Sequence, residues 1–182
     1  MSNYLVRRSL QRMGQRYDYD ASYLLYLLDE SPKAFWKFMR ASALSRHREQ
    51  APVEAVFAVR LVATMAEDCG PCTQLIVQHA IEAKMATGQI EAILTRDLAA
   101  MNPVVELAYR YAQTVLGRHP DADDVREIVR VRWSNKGLID LALSMQGARL
   151  YPMIKSALGY AVQCQCVRLD GRSIEVRKQI AS

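Results

Sequence analysis

Apolar residues recur along most of this chain at spacings of three and four, and few windows alternate with period two. Prolines and glycines fall near the ends of the apolar segments, so the pattern predicts helix almost throughout. Tyr23, Leu24, Leu27 and Leu28 form one stripe, with Asp20 or Ser22 in front as a cap. Ser31 caps the next helix, with Pro32 at its first position, where a missing N–H costs nothing. That helix carries Phe35, Trp36 and Met39 and runs to about Ser45, ahead of a polar, charged break over residues 46–51. Pro52 opens a helix to about Ala66, with Val56, Val59 and Ala63 at helical spacing. The segment from Cys69 should open another at once, ending at Gly88, and a short helix follows near residues 90–94. Asn102-Pro103 is a start signal and Gly117 a stop. Asp121 or Asp123 caps a segment with Val125, Ile128, Val129 and Trp133. Ser134 or Asn135 then starts a long helix to about Val162, kinked by Pro152, which removes a backbone donor and clashes with the preceding turn.

The end of the chain reads differently. Val167-Arg168-Leu169 and residues 172–176 alternate apolar and polar around Asp170-Gly171, a favoured two-residue turn. A short C-terminal hairpin or extended tail is predicted. Isolated hairpins are marginal, so it has to pack on the body or on a second subunit. The break at residues 46–51 divides an N-terminal helical arm, 1–48, packed on the main domain, from a helical domain with a C-terminal tail, 49–182.

With 182 residues, 51% of them apolar and 24% charged, the chain is long enough for a core and too apolar for disorder. No apolar run approaches the roughly 18 residues of a membrane span. The basic start, residues 1–16, lacks the apolar stretch of a secretory signal. The expectation is a cytoplasmic protein, in which cysteines read as redox or metal groups before structural disulfides. The net charge of +5 comes from arginine clusters interleaved with carboxylates, without a DNA-binding motif, so no nucleic-acid partner is expected.

The four cysteines form two tight pairs, Cys69-Gly70-Pro71-Cys72 and Cys164-Gln165-Cys166. Cysteines three apart on a helix share a face. Gly70 and Pro71 suit a helix start, where unpaired N–H groups and the helix dipole stabilise a thiolate. That supplies an attacking sulfur and a resolving one. Glu67 and Asp68 oppose the effect by raising a thiol pKa, or Glu67 accepts the thiol proton. The same four residues occur in thioredoxin, after a strand and a tryptophan. Here Asp68 precedes and the flanks read as helical, which argues against that fold and leaves dithiol chemistry. Cys164 and Cys166 have poor spacing for a zinc knuckle and read as passive tail thiols, so no metal is expected. The Tyr19, Tyr23 and Tyr26 stripe reads as packing. His47 and His119 carry no visible constellation.

The stretch Arg60-Leu-Val-Ala-Thr-Met-Ala-Glu-Asp-Cys-Gly-Pro-Cys-Thr-Gln74 resembles the alkylhydroperoxidase AhpD and carboxymuconolactone decarboxylase family. The similarity spans roughly residues 52–159, with helical pattern and Arg149-Leu-Tyr-Pro152 supporting the rest. The resemblance implies an all-α AhpD-like bundle, a homo-oligomer, and a peroxidase or thiol–disulfide oxidoreductase without metal or organic cofactor. Its substrate would be a peroxide or disulfide and its reductant an external dithiol of lipoyl or thioredoxin type. Carried over, Cys72 is the peroxidatic sulfur and Cys69 the resolving one. The family histidine, four residues past the second cysteine, is Ile76 here. His79 lies one turn later, about 10 Å along the axis from Cys72. The family glutamate finds its nearest counterpart at Glu54, one turn further out. If the two helices run antiparallel, Glu54 and His79 form a shifted relay. Two other readings are a cofactor-free lyase acting on a small lactone acid, as in the decarboxylase branch, and a non-enzymatic redox-responsive oligomeric module.

Overall fold

The computed structural model describes residues 3–161 and 166–176. Over these the chain forms helices α1 (Asn3–Tyr17), α2 (Ser22–Glu30), α3 (Pro32–Ser42), α4 (Val53–Ala66), α5 (Gly70–Glu82), α6 (Thr87–Thr95), α7 (Pro103–Leu116) and α8 (Ala122–Ala157). Strands β1 (Cys166–Leu169) and β2 (Arg172–Glu175) follow. The architecture is all-α with a small antiparallel hairpin, as the periodicity predicts.

Helix α4 is apolar nearly all round, and such a helix has to be surrounded. Ten of its residues, among them Ala55, Val59, Leu61 and Ala63, are buried, and it packs against α5, α6, α7 and α8. Local signals set the starts of its neighbours. The Asn102 side chain accepts from the backbone N–H groups of Val104 (3.0 Å) and Val105 (2.9 Å), with Pro103 next in line. Ser31 Oγ accepts from the Ala34 N–H at 3.2 Å and starts α3. Asp20 instead accepts from Ser22 N at 3.0 Å and shapes the entry to α2, whose cap position is Ala21.

Some boundaries differ from the prediction. Helix α5 stops at Glu82, not Gly88, because Lys84 turns left-handed (φ 66°) and Met85 N bonds back to Ala80 O at 3.0 Å. This buries Met85 and restarts the helix at Thr87. Helix α1 fills the first part of the arm, with Val6 and Leu10 buried one turn apart. The predicted start at Ser134 appears as a sharp break inside α8, with Trp133 at φ −129° and Ser134 at φ 64°, ψ 176°. That combination is open to glycine and strained for serine. Ser134→Gly should therefore stabilise the fold by up to about 1 kcal/mol, read as a rise of roughly 2–4 °C in thermal midpoint.

Asp170 (φ 48°) and Gly171 (φ 75°) supply the two positive φ values that the tight hairpin turn needs. The hairpin packs on the body: Val167, Leu169 and Ile174 are buried in the main core. The Gln74 side-chain amide clamps both backbone groups of Arg168, accepting from its N–H (2.6 Å) and donating to its carbonyl (3.1 Å). The hairpin thus leans on α5, the cysteine helix.

The apolar interior has two parts. One joins α4, α6, α7, α8 and the hairpin. The other joins the N-terminal helices, through Leu10, Tyr23, Leu24, Leu28 and Phe35, to Cys69 and Cys72. The charged break between arm and body is held by Asp140 of α8, a fully buried carboxylate. It accepts from the N–H groups of Glu49 (2.9 and 3.0 Å), Gln50 (2.7 Å) and Ala51 (2.9 Å). Among the described residues no helix is long and apolar enough to cross a membrane.

Candidate functional site

Asp68, in a left-handed conformation (φ 53°), turns the chain out of α4, and Cys69 takes the cap position of α5. Thr73 N bonds to Cys69 O at 2.9 Å, the first helical bond. The first N–H groups of α5 have no partner within the helix, as at every helix start. Cys69 and Cys72 are joined by a disulfide, with their Cα atoms 5.2 Å apart. Both cysteines are buried, at 8% and 4% exposure, so a bulky partner has no direct access to the bridge.

Only one of the two cysteines lines a cavity of about 420 Å³ between α5, α4 and the N-terminal helices. It is Cys72, and His79 lines the same cavity. The two are seven residues apart on one helix, so the cavity spans the gap between them instead of a direct bond. His79 stacks edge-on against Tyr17, 5.0 Å between ring centres. Burial pushes its pKa below the ordinary imidazole value, against an upward pull from Glu82, so it is a neutral proton acceptor at neutral pH.

A side chain within hydrogen-bonding reach of Cys72 is one that the pattern reads as packing. Tyr19 Oη lies 3.7 Å from Cys72 Sγ and 3.0 Å from Tyr23 Oη. Burial pushes the Tyr19 hydroxyl up to about 12, and burial raises Tyr23 as well, so both stay protonated at neutral pH. Behind them sits Lys155, 1% exposed, with its Nζ 5.1 Å from the Tyr19 ring centre and 5.6 Å from that of Tyr23. The ammonium has no hydrogen-bond acceptor among the described residues and reaches only Asp20, at 3.9 Å. Burial lowers its pKa while Asp20 pulls the other way. The stripe Tyr19–Tyr23 carried the clue to this cluster. The lysine, more than 130 positions further on, carried none.

The two glutamates of the predicted site lie elsewhere. Glu67 is paired with Arg149 at 2.5 Å, both partly buried, which fixes the turn before Cys69 to α8. Glu54 accepts from Asn102 Nδ2 at 3.1 Å, at the start of α7. Among the described residues the cavity lining includes Cys72 and His79 but neither glutamate. Cys164 lies outside the described residues, and Cys166 is exposed at the first position of β1. No group of three or more His, Cys, Asp or Glu side chains among the described residues is placed to hold a metal ion. The disulfide can accept two electrons, and it stands beside a partly open cavity lined by a neutral imidazole and a phenol.

Comparison with protein-family models, with curated proteins and with solved structures found no match.

Proposed function

We propose that this chain is a dithiol peroxidase of the AhpD type, with Cys72 as the attacking sulfur and Cys69 as the resolving one. One observation carries the reading: of two buried, disulfide-bonded cysteines, Cys72 alone opens onto a cavity, and that cavity also holds His79. A small hydroperoxide fits such a site, whereas a protein disulfide does not reach it.

In the reduced state the Cys72 thiolate attacks the terminal peroxide oxygen. An S–O bond forms, the O–O bond breaks, and the alkoxide leaves as an alcohol after taking a proton. The Cys72 sulfenic acid is then attacked by the Cys69 thiolate. The disulfide forms and hydroxide departs as water with a second proton. Two thiols are oxidised and one hydroperoxide is reduced. An external small dithiol returns the two electrons and restores both thiols. Tyr19 donates its O–H toward the Cys72 thiolate, and His79 takes up the thiol proton through water.

The test is consumption of a small hydroperoxide with a dithiol reductant, comparing the wild type with Cys69→Ser and Cys72→Ser. An unchanged rate in both variants refutes the reading. Tyr19→Phe removes one hydrogen bond to a charged sulfur, so the thiolate fraction at neutral pH should fall about tenfold. The measurement is the pH profile of Cys72 alkylation in the reduced protein, which should move to higher pH.

A second reading has one observation in its favour. Arg60 faces the same cavity as His79, the pair that a cofactor-free lyase acting on a lactone acid would use. Thiols inert to peroxide would select it.

A further inference from the structure

The cavity contains a cation that the peroxide chemistry does not use. Arg60 lies on α4, one turn from Thr64, and both line the cavity wall facing Cys72 and His79. Its Nη2 donates to the carbonyl of Ser45, and its guanidinium stands 5.1 Å from the Phe57 ring centre. Its Nε–H is buried and has no acceptor among the described residues. No carboxylate among those residues lies within ion-pair distance of it. Burial pulls its pKa down to about 10, which still leaves it charged at neutral pH.

A partly buried guanidinium with no carboxylate partner and an orphaned Nε–H costs free energy, and an anion entering the site would recover it. The close approach of Ser45 keeps that arginine in place: any side chain at Gly147 of α8 would meet Ser45 backbone and Cβ within 2.9 Å. Arg46, Ser9 and Ser45 also line the cavity, and much of the remaining wall is apolar, with Leu10, Met13, Leu24, Met39, Leu75 and Ile76 around it. A volume of about 420 Å³ falls in the range of small-molecule sites.

We infer that the cavity binds an amphipathic carboxylate, an apolar chain whose acid group pairs with Arg60. Resting on the proposed peroxidase reading, the preferred substrate class is then a hydroperoxide of an apolar carboxylic acid, its acid end held by Arg60 and its peroxide end offered to Cys72. A planar carboxylate matches the guanidinium edge, and the apolar wall takes the chain.

The test separates binding from turnover. Titration calorimetry on the disulfide form, which has no peroxidase activity to lose, compares octanoate with 1-octanol. The wild type should bind octanoate at least about tenfold tighter, and Arg60→Met should abolish that preference while keeping the octanol affinity. Arg60→Lys should retain part of it. Equal affinity of the wild type for acid and alcohol, or no binding of either, overturns the inference whether or not the Arg60 variants fold. So does a preference that survives in Arg60→Met. Turnover of an acid hydroperoxide against its methyl ester is read separately. If octanoate selectivity is present and no hydroperoxide is consumed, the carboxylate site stands and the peroxidase reading falls. If hydroperoxides are consumed without preference for the acid, the reverse holds.

Discussion

Replacing Cys72 with serine should abolish peroxide reduction, a loss on the order of a thousandfold or more, as when an enzyme loses its nucleophile. Replacing Cys69 should leave a different defect. The Cys72 thiolate still faces the cavity and attacks peroxide once, but no neighbouring thiol remains to expel water. Cys69→Ser should therefore consume about one equivalent of peroxide per chain and stop, carrying the mass of one added oxygen on Cys72. Intact-mass analysis after a short peroxide pulse reads the difference, together with a dimedone adduct at Cys72 in that variant alone. The asymmetry follows from position, since only Cys72 lines the cavity. Equal trapping on both single variants would place the attacking sulfur wrongly. In the wild type the same pulse should give the intramolecular disulfide and no stable oxygen adduct.

The second large effect concerns stability. Asp140 accepts from three consecutive backbone N–H groups at 2.7–3.0 Å, and its side chain is fully buried. Removing it leaves three donors without their acceptor, each worth about 1–3 kcal/mol when buried and unsatisfied. Asp140→Ala should cost about 3 kcal/mol or more, a fall of roughly 6–12 °C in thermal midpoint. Asp140→Asn, which keeps one acceptor oxygen, should lose less. The carboxylate also makes this stability pH-dependent. Burial alone would raise its pKa, but the three N–H groups and the neighbouring His47 outweigh that and hold it below the ordinary carboxylate range. The folded protein therefore binds the proton less readily than the unfolded chain. The stabilisation is complete above the unfolded value of about 3.9 and is lost as pH falls toward the lower folded value. Denaturant midpoints should drop below about pH 4 in the wild type and change less with pH in Asp140→Asn.

Much of the scaffold was legible because its signals are local. Asn102-Pro103 and Ser31-Pro32 carry their own cap chemistry. Asp170-Gly171 supplies its own turn, and Ser134 marks the break in α8. The cysteine pair and its helix start were equally readable, since thiol spacing and the Gly-Pro entry lie within four positions. What escaped notice depends on partners far along the chain. No local signal marks Asp140, whose backbone donors come from a segment about 90 residues earlier. Tyr19 and Tyr23 read as a packing stripe, and only the folded chain brings the Tyr19 hydroxyl to Cys72 and both rings to Lys155. Glu54 and Glu67 were assigned by position relative to the cysteines. Their partners Asn102 and Arg149 lie 48 and 82 residues away and occupy them there.

The clamp between Gln74 and Arg168 has a consequence for the order in which the chain closes during synthesis. The N-terminal helices that cover Cys69 and Cys72 leave the ribosome before the cysteines do, so the sulfurs can be shielded as soon as α5 forms. The outer side of α5 has to wait for a further 94 residues. A nascent chain thus seals the face that carries the sulfurs first and the face beneath the hairpin last. Contacts of such sequence separation are slow to form, since a long loop has to close before they can. A ribosome pause in the stretch encoding α8 would therefore hold the chain with its redox pair covered and its opposite side still open to chaperones.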